Sequence, residues 1–303
     1  MRVALTGATG FIGSHVARRM VADGCDVHAL VRPHGATWRI ADVLPRLSVV
    51  PCDLLSPTDV DRAIETIVPD HFVHLAWCTG PDTYRTSLDN LRFVGASLHL
   101  VRRLADVGCR RLFVAGTCAE YDRVAGAASE DDPTVSRSLY VAAKLGLALT
   151  LAQLGPAVGM GIAWGRIFYL YGPFEDRRRL VPLTIRKLLE GQPVELTTAD
   201  YVRDFSHVED VAAAIWAVLR SGLVGPVNIG SGEPARVRDV VSTLARVLDR
   251  PLELVSRESV DPADPPPSIY ADVARLTSTT WVPRYDLERG LRHTAEWWKA
   301  RPG

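Results

Sequence analysis

The sequence predicts an α/β fold: a doubly wound parallel sheet flanked by helices, with a smaller C-terminal lobe interleaved with it. Three observations carry this. Short runs rich in Val, Leu, Ile and Phe recur at 3–6, 27–31, 47–50, 72–76, 112–115 and 162–169. Their near-continuous hydrophobicity, without polar alternation, suits strands covered on both faces. Helical patterns over 12–22, 58–67, 88–105 and 140–153 fill the gaps, and strand alternating with helix through half a chain is what a doubly wound sheet requires.

The C-terminal half is less regular. Ser206-x-x-Glu209 reads as a capping box heading a helix whose Val208, Val211, Ala212, Ile215, Val218 and Leu219 share one face. A short strand follows at 227–230, then an amphipathic helix marked by Val237, Val240, Val241, Leu244, Val247 and Leu248, and a loop at Asp264-Pro-Pro-Pro267. The boundary falls near Gly172-Pro173: 1–172 form the first domain, with 201–230 returning to it, and 173–303 form the smaller lobe.

Composition narrows the function classes. The 303 residues are 47% hydrophobic, enough for one large or two closely joined domains. Thirty-five basic and 35 acidic side chains cancel, which argues against nucleic acid as a partner. Five cysteines (Cys25, Cys52, Cys78, Cys109, Cys118) are odd in number and lack C-x-x-C spacing, so no disulfide framework is expected and a reducing cytoplasm fits. The eight histidines are scattered, none in ligand spacing with another His or Cys, and no metal is expected. The apolar run 145–164 contains Gln153 and a Gly155-Pro156 break. It is expected to split into a helix end and a strand rather than span a membrane, and the apolar run at 2–6 is too short for a signal sequence.

The first strand runs into Thr6-Gly7-Ala8-Thr9-Gly10-Phe11-Ile12-Gly13, with a helix starting at once. Glycines at such a turn let the backbone approach a pyrophosphate, which sits on the helix N-terminus. Gly7, Gly10, Phe11, Ile12 and Gly13 are therefore candidate dinucleotide-binding residues, although the spacing is G-x-x-G-x-x-G rather than G-x-G-x-x-G. An acidic residue about twenty positions on usually takes the adenosine ribose of NAD, whereas an arginine accepts the 2′-phosphate of NADP. Here the second strand ends Val31-Arg32-Pro33 without a carboxylate. Arg32 favours NADP(H); NAD(H) stays open, because a solvated arginine is the alternative. Asp53 stands where an adenine amino group would lie, or is an ordinary turn aspartate.

Tyr140-Val-Ala-Ala-Lys144 puts two heads on one helix face, a turn apart. A free tyrosine, with a pKa of about 10, is a poor acid–base group near neutrality; an adjacent ammonium stabilises its phenolate. Eight tyrosines and three lysines (Lys144, Lys187, Lys299) give about 0.08 chance matches to this spacing (8 × 3/303). Thr117, after the fifth strand, lies at the C-terminal end where such sheets bind ligands. It completes a candidate catalytic set of Thr117, Tyr140 and Lys144.

These residues resemble the extended short-chain dehydrogenases/reductases, the epimerase/dehydratase group that acts on nucleotide sugars. The matching pieces are Gly7 to Gly13, Asp53-Leu54, His74-Leu75-Ala76, Thr117 with Tyr121, Tyr140-x3-Lys144, Arg166 to Tyr171-Gly-Pro173, Arg203-Asp-Phe205, His207-Val-Glu-Asp210, Asn228-Ile-Gly-Ser-Gly232 and Trp281-Val-Pro283. The resemblance implies a Rossmann domain carrying the dinucleotide, with Leu54, Leu75 and Ala76 among its contacts. It implies a smaller lobe closing over a nucleoside diphosphate sugar, with Arg203, and more weakly Arg179, on the diphosphate. A homodimer through helices 88–105 and 140–153 would follow if the chain pairs as its relatives do; packing on the sheet explains their apolar content equally.

Three departures matter. The dehydratases of the group carry Thr-Asp-Glu where this chain has Thr117-Cys118-Ala119, with Glu120 one residue further on. Tyr169 replaces an asparagine in the substrate floor, and the acid at the tip of the second strand is missing. The reading they favour is an NADPH-dependent 4-ketoreductase of a nucleotide deoxysugar, Tyr140 protonating the carbonyl oxygen. The alternatives are an NAD-dependent nucleotide-sugar epimerase (C4, or C3/C5), a reductase of small non-sugar carbonyls, and a non-catalytic dinucleotide sensor.

Overall fold

The computed structural model describes residues 1–80, 83–122, 126–196, 198–251, 255–257 (backbone only) and 268–301. The chain runs β1 (Arg2–Thr6), α1 (Phe11–Ala22), β2 (Asp26–Val31), β3 (Ser48–Pro51), α2 (Pro57–Ile67), β4 (His71–His74), α3 (Asp89–Asp106), β5 (Arg111–Ala115), β6 (Gly126–Ala128), α4 (Leu139–Val158) and β7 (Gly161–Ile167). It continues through β8 (Tyr169–Tyr171), α5 (Leu180–Leu189), β9 (Val194–Leu196), β10 (Val202–His207), α6 (Val208–Arg220), β11 (Gly225–Ile229), β12 (Pro234–Arg236), α7 (Val237–Val247), β13 (Val255–Arg257), β14 (Ser268–Ala271), α8 (Ala274–Thr277) and α9 (Leu287–Lys299).

Seven strands form one parallel sheet in the order β11-β7-β5-β4-β1-β2-β3. Crossing from β3 back over β1 to β4 creates the switch point at which α/β sheets bind ligands. One face is covered by α1 and α6 and the other by α2, α3 and α4, each through a continuous core. A third core joins α5, α7 and α9 in the smaller lobe. Within 201–230, α6 and β11 join the large sheet, whereas β10 runs in the smaller one beside β8, β12 and β14.

Local chemistry explains the boundaries. Ser56 caps α2 by accepting from the Asp59 N–H, Pro57 takes the first turn, and Val68 ends the helix in the left-handed region. Ser138 caps α4 by accepting from the Val141 N–H. The predicted break at Gly155-Pro156 does not occur: α4 runs as one helix of 20 residues. Pro156 lies in its last turn, where its missing N–H removes one bond to the preceding turn without ending the helix, and Gly159, at φ +67°, stops it. α4 is thus long and apolar enough to cross a membrane by length and composition, yet its inner residues pack on the sheet.

Two other expectations are corrected. The run 162–169 is not a single strand. β7 ends at Ile167, the Phe168 N–H bonds the Ile229 carbonyl, and β8 leaves to pair with β10. Ser206 is not a helix cap; it is the penultimate residue of β10, its hydroxyl donating to Asp204. His207 caps α6 instead, Nδ1 accepting from the Glu209 N–H at 3.3 Å. The loop expected at 264–267 lies outside the described residues.

Past Gly172 the chain turns through Phe174, in the left-handed region at φ +71°. Its ring meets Trp38 from the segment after β2, His15 from α1 and Trp297 from α9, at centroid distances of 5.8, 5.7 and 4.8 Å. The Arg18 guanidinium lies 4.5 Å over the ring, and Arg39 Nε donates to the Phe174 carbonyl at 3.0 Å. Burial pulls His15 down to about 4, so its ring is neutral and Nε2–H donates to the Pro173 carbonyl.

Candidate active site

The glycine turn is close-packed. Gly7 sits at φ +77°, and a Cβ there would lie 2.9 Å from the Ala76 N; one on Gly13 would lie 2.0 Å from the Gly7 carbonyl oxygen. Gly10 heads α1 with no side-chain cap, and the first turn carries no acidic residue. Four of the other helices, α2, α4, α6 and α9, have side-chain caps. The leading N–H groups of α1 therefore have no side-chain acceptor and fit a pyrophosphate at the switch point.

Leu75 and Ala76, just past β4, are held against this turn by a hydrogen-bond relay. The Ala76 N–H donates to Thr6 Oγ1, which donates to His74 Nδ1; His74 Nε2–H donates to Ser97, and Ser97 to the Phe93 carbonyl. Burial pulls His74 down to about 3, so it stays a neutral link. Arg32, one residue past β2, is exposed and makes no ion pair among the described residues. Asp53, past β3, accepts from the Leu55 N–H and donates its own N–H to Asp59, while half-buried Leu54 packs on the core.

Thr117 follows β5 at the same end of the sheet. It opens a short turn in which its hydroxyl accepts from the Ala119 N–H and its N–H donates to Glu120. Tyr140 stands in the first turn of α4, its hydroxyl hydrogen-bonded to the Thr117 side chain. Burial raises its pKa above the ordinary tyrosine value, opposed by that bond. Lys144, one turn on, is 4% exposed and donates from Nζ to the Ala115 carbonyl at 2.8 Å. Burial pulls its pKa down to about 7, opposed by Glu120 and Cys78. The three predicted residues thus converge on the C-terminal end of β5.

Glu120 does not face this space. It is fully buried and accepts from the Thr117 N–H, from Trp164 Nε1 and from Arg166 Nε at 2.9–3.1 Å. Its role is to tie β5 to β7. Arg166 in turn lies over the Tyr121 ring, and the Tyr121 hydroxyl donates to Asn228. Much of the motif set beyond the glycine turn is therefore buried scaffold.

On the lobe side, Tyr169 is 42% exposed, its ring against Phe205 and under the Arg203 guanidinium at 5.4 Å; Arg203 also stacks on Tyr201 at 4.8 Å. Arg179 is exposed at the N-cap of α5 and acts on buried Glu175, whose carboxyl burial pushes well up.

Several neighbours of the site went unread in the sequence. Tyr84 sets its ring edge-on to Tyr140 at 4.9 Å, and the Arg85 carbonyl accepts from the Tyr140 N–H. Asn90, fully buried, donates to the Tyr84 and Ser87 carbonyls and accepts from Trp77 Nε1. An amide on the face of α3 that also carries Ser97, Val101 and Leu104 was the available signal. The scattered histidines also hid a cluster: His207, Glu209 and His293 bring ligand atoms within 4.8 Å of one another. With Nδ1 of His207 accepting from the Glu209 N–H, Nε2–H donates to His293 Nδ1 at 3.1 Å, and Glu209 Oε2 accepts from Tyr285. His207 Nε2 and His293 Nδ1 meet in this ring-to-ring hydrogen bond.

A tyrosine and a lysine one helical turn apart, beside a glycine turn on an uncapped helix, define an NAD(P)-dependent enzyme of the extended short-chain dehydrogenase/reductase type. More particularly, the model of the NAD dependent epimerase/dehydratase family matches residues 3–230, and the chain belongs to that family. It is 27% identical over 319 residues to a dTDP-4-dehydro-6-deoxy-D-allose reductase of Streptomyces bikiniensis, covering 98% of this chain and 96% of the relative. Among solved structures, a UDP-glucose 4-epimerase of Thermus thermophilus in complex with NAD superimposes with TM-score 0.85 at 26% identity, covering 99% of this chain and 100% of the other. A dTDP-glucose 4,6-dehydratase of Streptomyces venezuelae with NAD bound gives TM-score 0.85 at 25% identity, covering 99% and 98%.

Proposed function

We propose that the protein is an NADPH-dependent 4-ketoreductase of a nucleoside diphosphate deoxysugar, working as a homodimer through the outer faces of α3 and α4. The observation that carries the reductive reading is Arg32, exposed and without an ion pair among the described residues, just beyond β2, where a ribose-binding carboxylate is missing. A guanidinium there suits a 2′-phosphate. Two further features agree. The side chains beside Thr117 are Cys118 and Ala119, and Glu120 is turned inward, so an acid–base pair for dehydration is lacking. Tyr140 is held protonated by burial, as a proton donor must be.

When bound, the dinucleotide supplies the hydride. Gly7, Gly10 and Gly13, with the N–H groups opening α1, would hold its pyrophosphate, and Arg32 its 2′-phosphate. Thr117 and Tyr140 present two hydroxyls that would grip the substrate carbonyl oxygen, and Tyr140 Oη gives it a proton. Lys144 stabilises the phenolate left behind. Arg203 and, less centrally, Arg179 would meet the diphosphate, with Tyr169 beneath the sugar. The structural likeness to an NAD-bound 4-epimerase supports a second reading, an NAD-dependent epimerase.

Nucleotide released from the purified, denatured protein separates these readings. The reductase should yield a site that titrates with NADPH in preference to NADH and reduces 4-keto-6-deoxy nucleotide sugars. Stoichiometric NAD that survives dialysis would replace it with the epimerase. Arg32→Asp should lower the NADPH preference at least about tenfold, the loss of one charge-assisted phosphate contact.

A further inference from the structure

We propose that Trp77 is a positioning residue for Lys144: its indole face holds the ammonium at the end of β5, and Asn90 holds the indole. Lys144 Nζ lies 3.6 Å from the centroid of the Trp77 ring, well inside the reach of a cation–π contact. A second indole, Trp164, lies at 6.0 Å. The ammonium is buried and makes one conventional hydrogen bond, to the Ala115 carbonyl, with no carboxylate in ion-pair range among the described residues. An aromatic face is therefore the main group standing in for its lost water.

The indole is itself fixed. Trp77 Nε1–H donates to Asn90 Oδ1 at 2.8 Å, and the ring leans on Phe93 at 5.6 Å. Asn90 is fully buried and spends its two N–H donors on the Tyr84 and Ser87 carbonyls. Turning the indole away would leave Asn90 Oδ1 only the weak Cys78 thiol donor at 3.5 Å and would cost the indole N–H its acceptor. Asn90 thus links both reacting side chains, through Trp77 to Lys144 and through the backbone of Tyr84 to the ring beside Tyr140.

The chemical consequence concerns charge. Burial, opposed by Glu120 and Cys78, draws Lys144 down to about 7, where an ammonium is half lost near neutrality. The indole quadrupole favours the charged form and opposes that loss. The other groups that bear on Lys144 are Glu120 after β5, His74 and Cys78 at the end of β4, and Tyr140 one turn earlier on α4. Of these, burial keeps His74 neutral and the Cys78 thiol raised.

The test exploits a chain with only three lysines, Lys144, Lys187 and Lys299. Protein labelled with 13Cε-lysine gives three signals, and Lys144→Met identifies the one of interest. Titrated in the free protein, Lys144 should show a midpoint far below the usual lysine value. Trp77→Leu should lower it by at least a further ~0.5 pH unit, the strength of an exposed cation–π contact, and by about 1.5 units if the contact has its full desolvated strength. Trp77→Phe, which keeps an aromatic face, should recover at least half of that shift. Where Trp77→Leu fails to fold, Trp77→Phe carries the test alone, with a smaller downward shift.

An unchanged or raised midpoint in Trp77→Leu would overturn the proposal and leave Trp77 a wall of the site. In turnover, the variant should lose kcat first on the alkaline side, where Lys144 discharges earlier, with KM changed less than about twofold. The catalytic meaning rests on the proposed function, but the midpoint does not. A shifted lysine in a protein that reduces no keto sugar would sink the reductase and leave this placement standing.

Discussion

Tyr140→Phe removes one oxygen and keeps the ring that Tyr84 packs against, so it isolates proton transfer from shape. Loss of a positioned acid costs about 10²–10⁴-fold, and kcat should fall by that factor with substrate binding little changed, read by turnover and by titration calorimetry. Equal turnover would remove Tyr140 from the chemistry. Residue by residue, the sequence showed spacing well and direction poorly. Tyr140 and Lys144 were legible because four residues on a helix is one turn. That Glu120 points inward was not, since nothing in Thr117-Cys-Ala-Glu120 distinguishes a side chain entering the cleft from one bonding Trp164 and Arg166 behind it. Trp77 and Asn90 were missed for a related reason: their pairing joins a loop to the first turn of α3, and no period encodes it.

The element that matters most to the proposed function is α4, because it carries Tyr140 and Lys144 in its first two turns. Its N-terminus is set by Ser138, and the Tyr140 N–H is taken by the Arg85 carbonyl. Ser138→Ala should destabilise the protein by about 1 kcal/mol, as other lost N-caps do, visible as a lower denaturant midpoint. Because the frayed turn includes Tyr140, kcat should fall too, and an unaltered kcat would mean Arg85 holds the turn alone. Helix and strand cores were readable from hydrophobic period, whereas which of several candidate residues made each end was not. The Gly155-Pro156 pair looked like a stop, yet Gly159 made the stop, since only there does the backbone turn left-handed. Likewise Ser206 lost its capping role because β10 extends to His207, claimed by β8 alongside.

At the scale of the molecule, the parallel sheet and the interleaved lobe follow from alternation and from the glycine turn, and the sequence conveyed both. The order of strands in the smaller sheet was not legible, because β6, β8, β12 and β14 are short and all of them pair with strands from distant parts of the chain. The proposed dimer belongs here. Leu88, Leu91 and Leu149 are 72%, 57% and 71% exposed on or beside α3 and α4, apolar surface that such a dimer would cover. Leu149→Glu should convert a dimer to a monomer in sedimentation velocity without altering the far-ultraviolet spectrum, and a wild-type monomer would dismiss the dimer outright.

The ring of Phe174 has one more consequence. It is an aromatic bearing on which α1, the segment after β2 and α9 all ride, seated on a backbone already strained at φ +71°. Parts that share one bearing cannot swing apart independently, so the gap between sheet and lobe has a nearly fixed gauge. In the proposed reductase, a sugar nucleotide would then be selected by width as well as by charge, before any hydroxyl group is inspected.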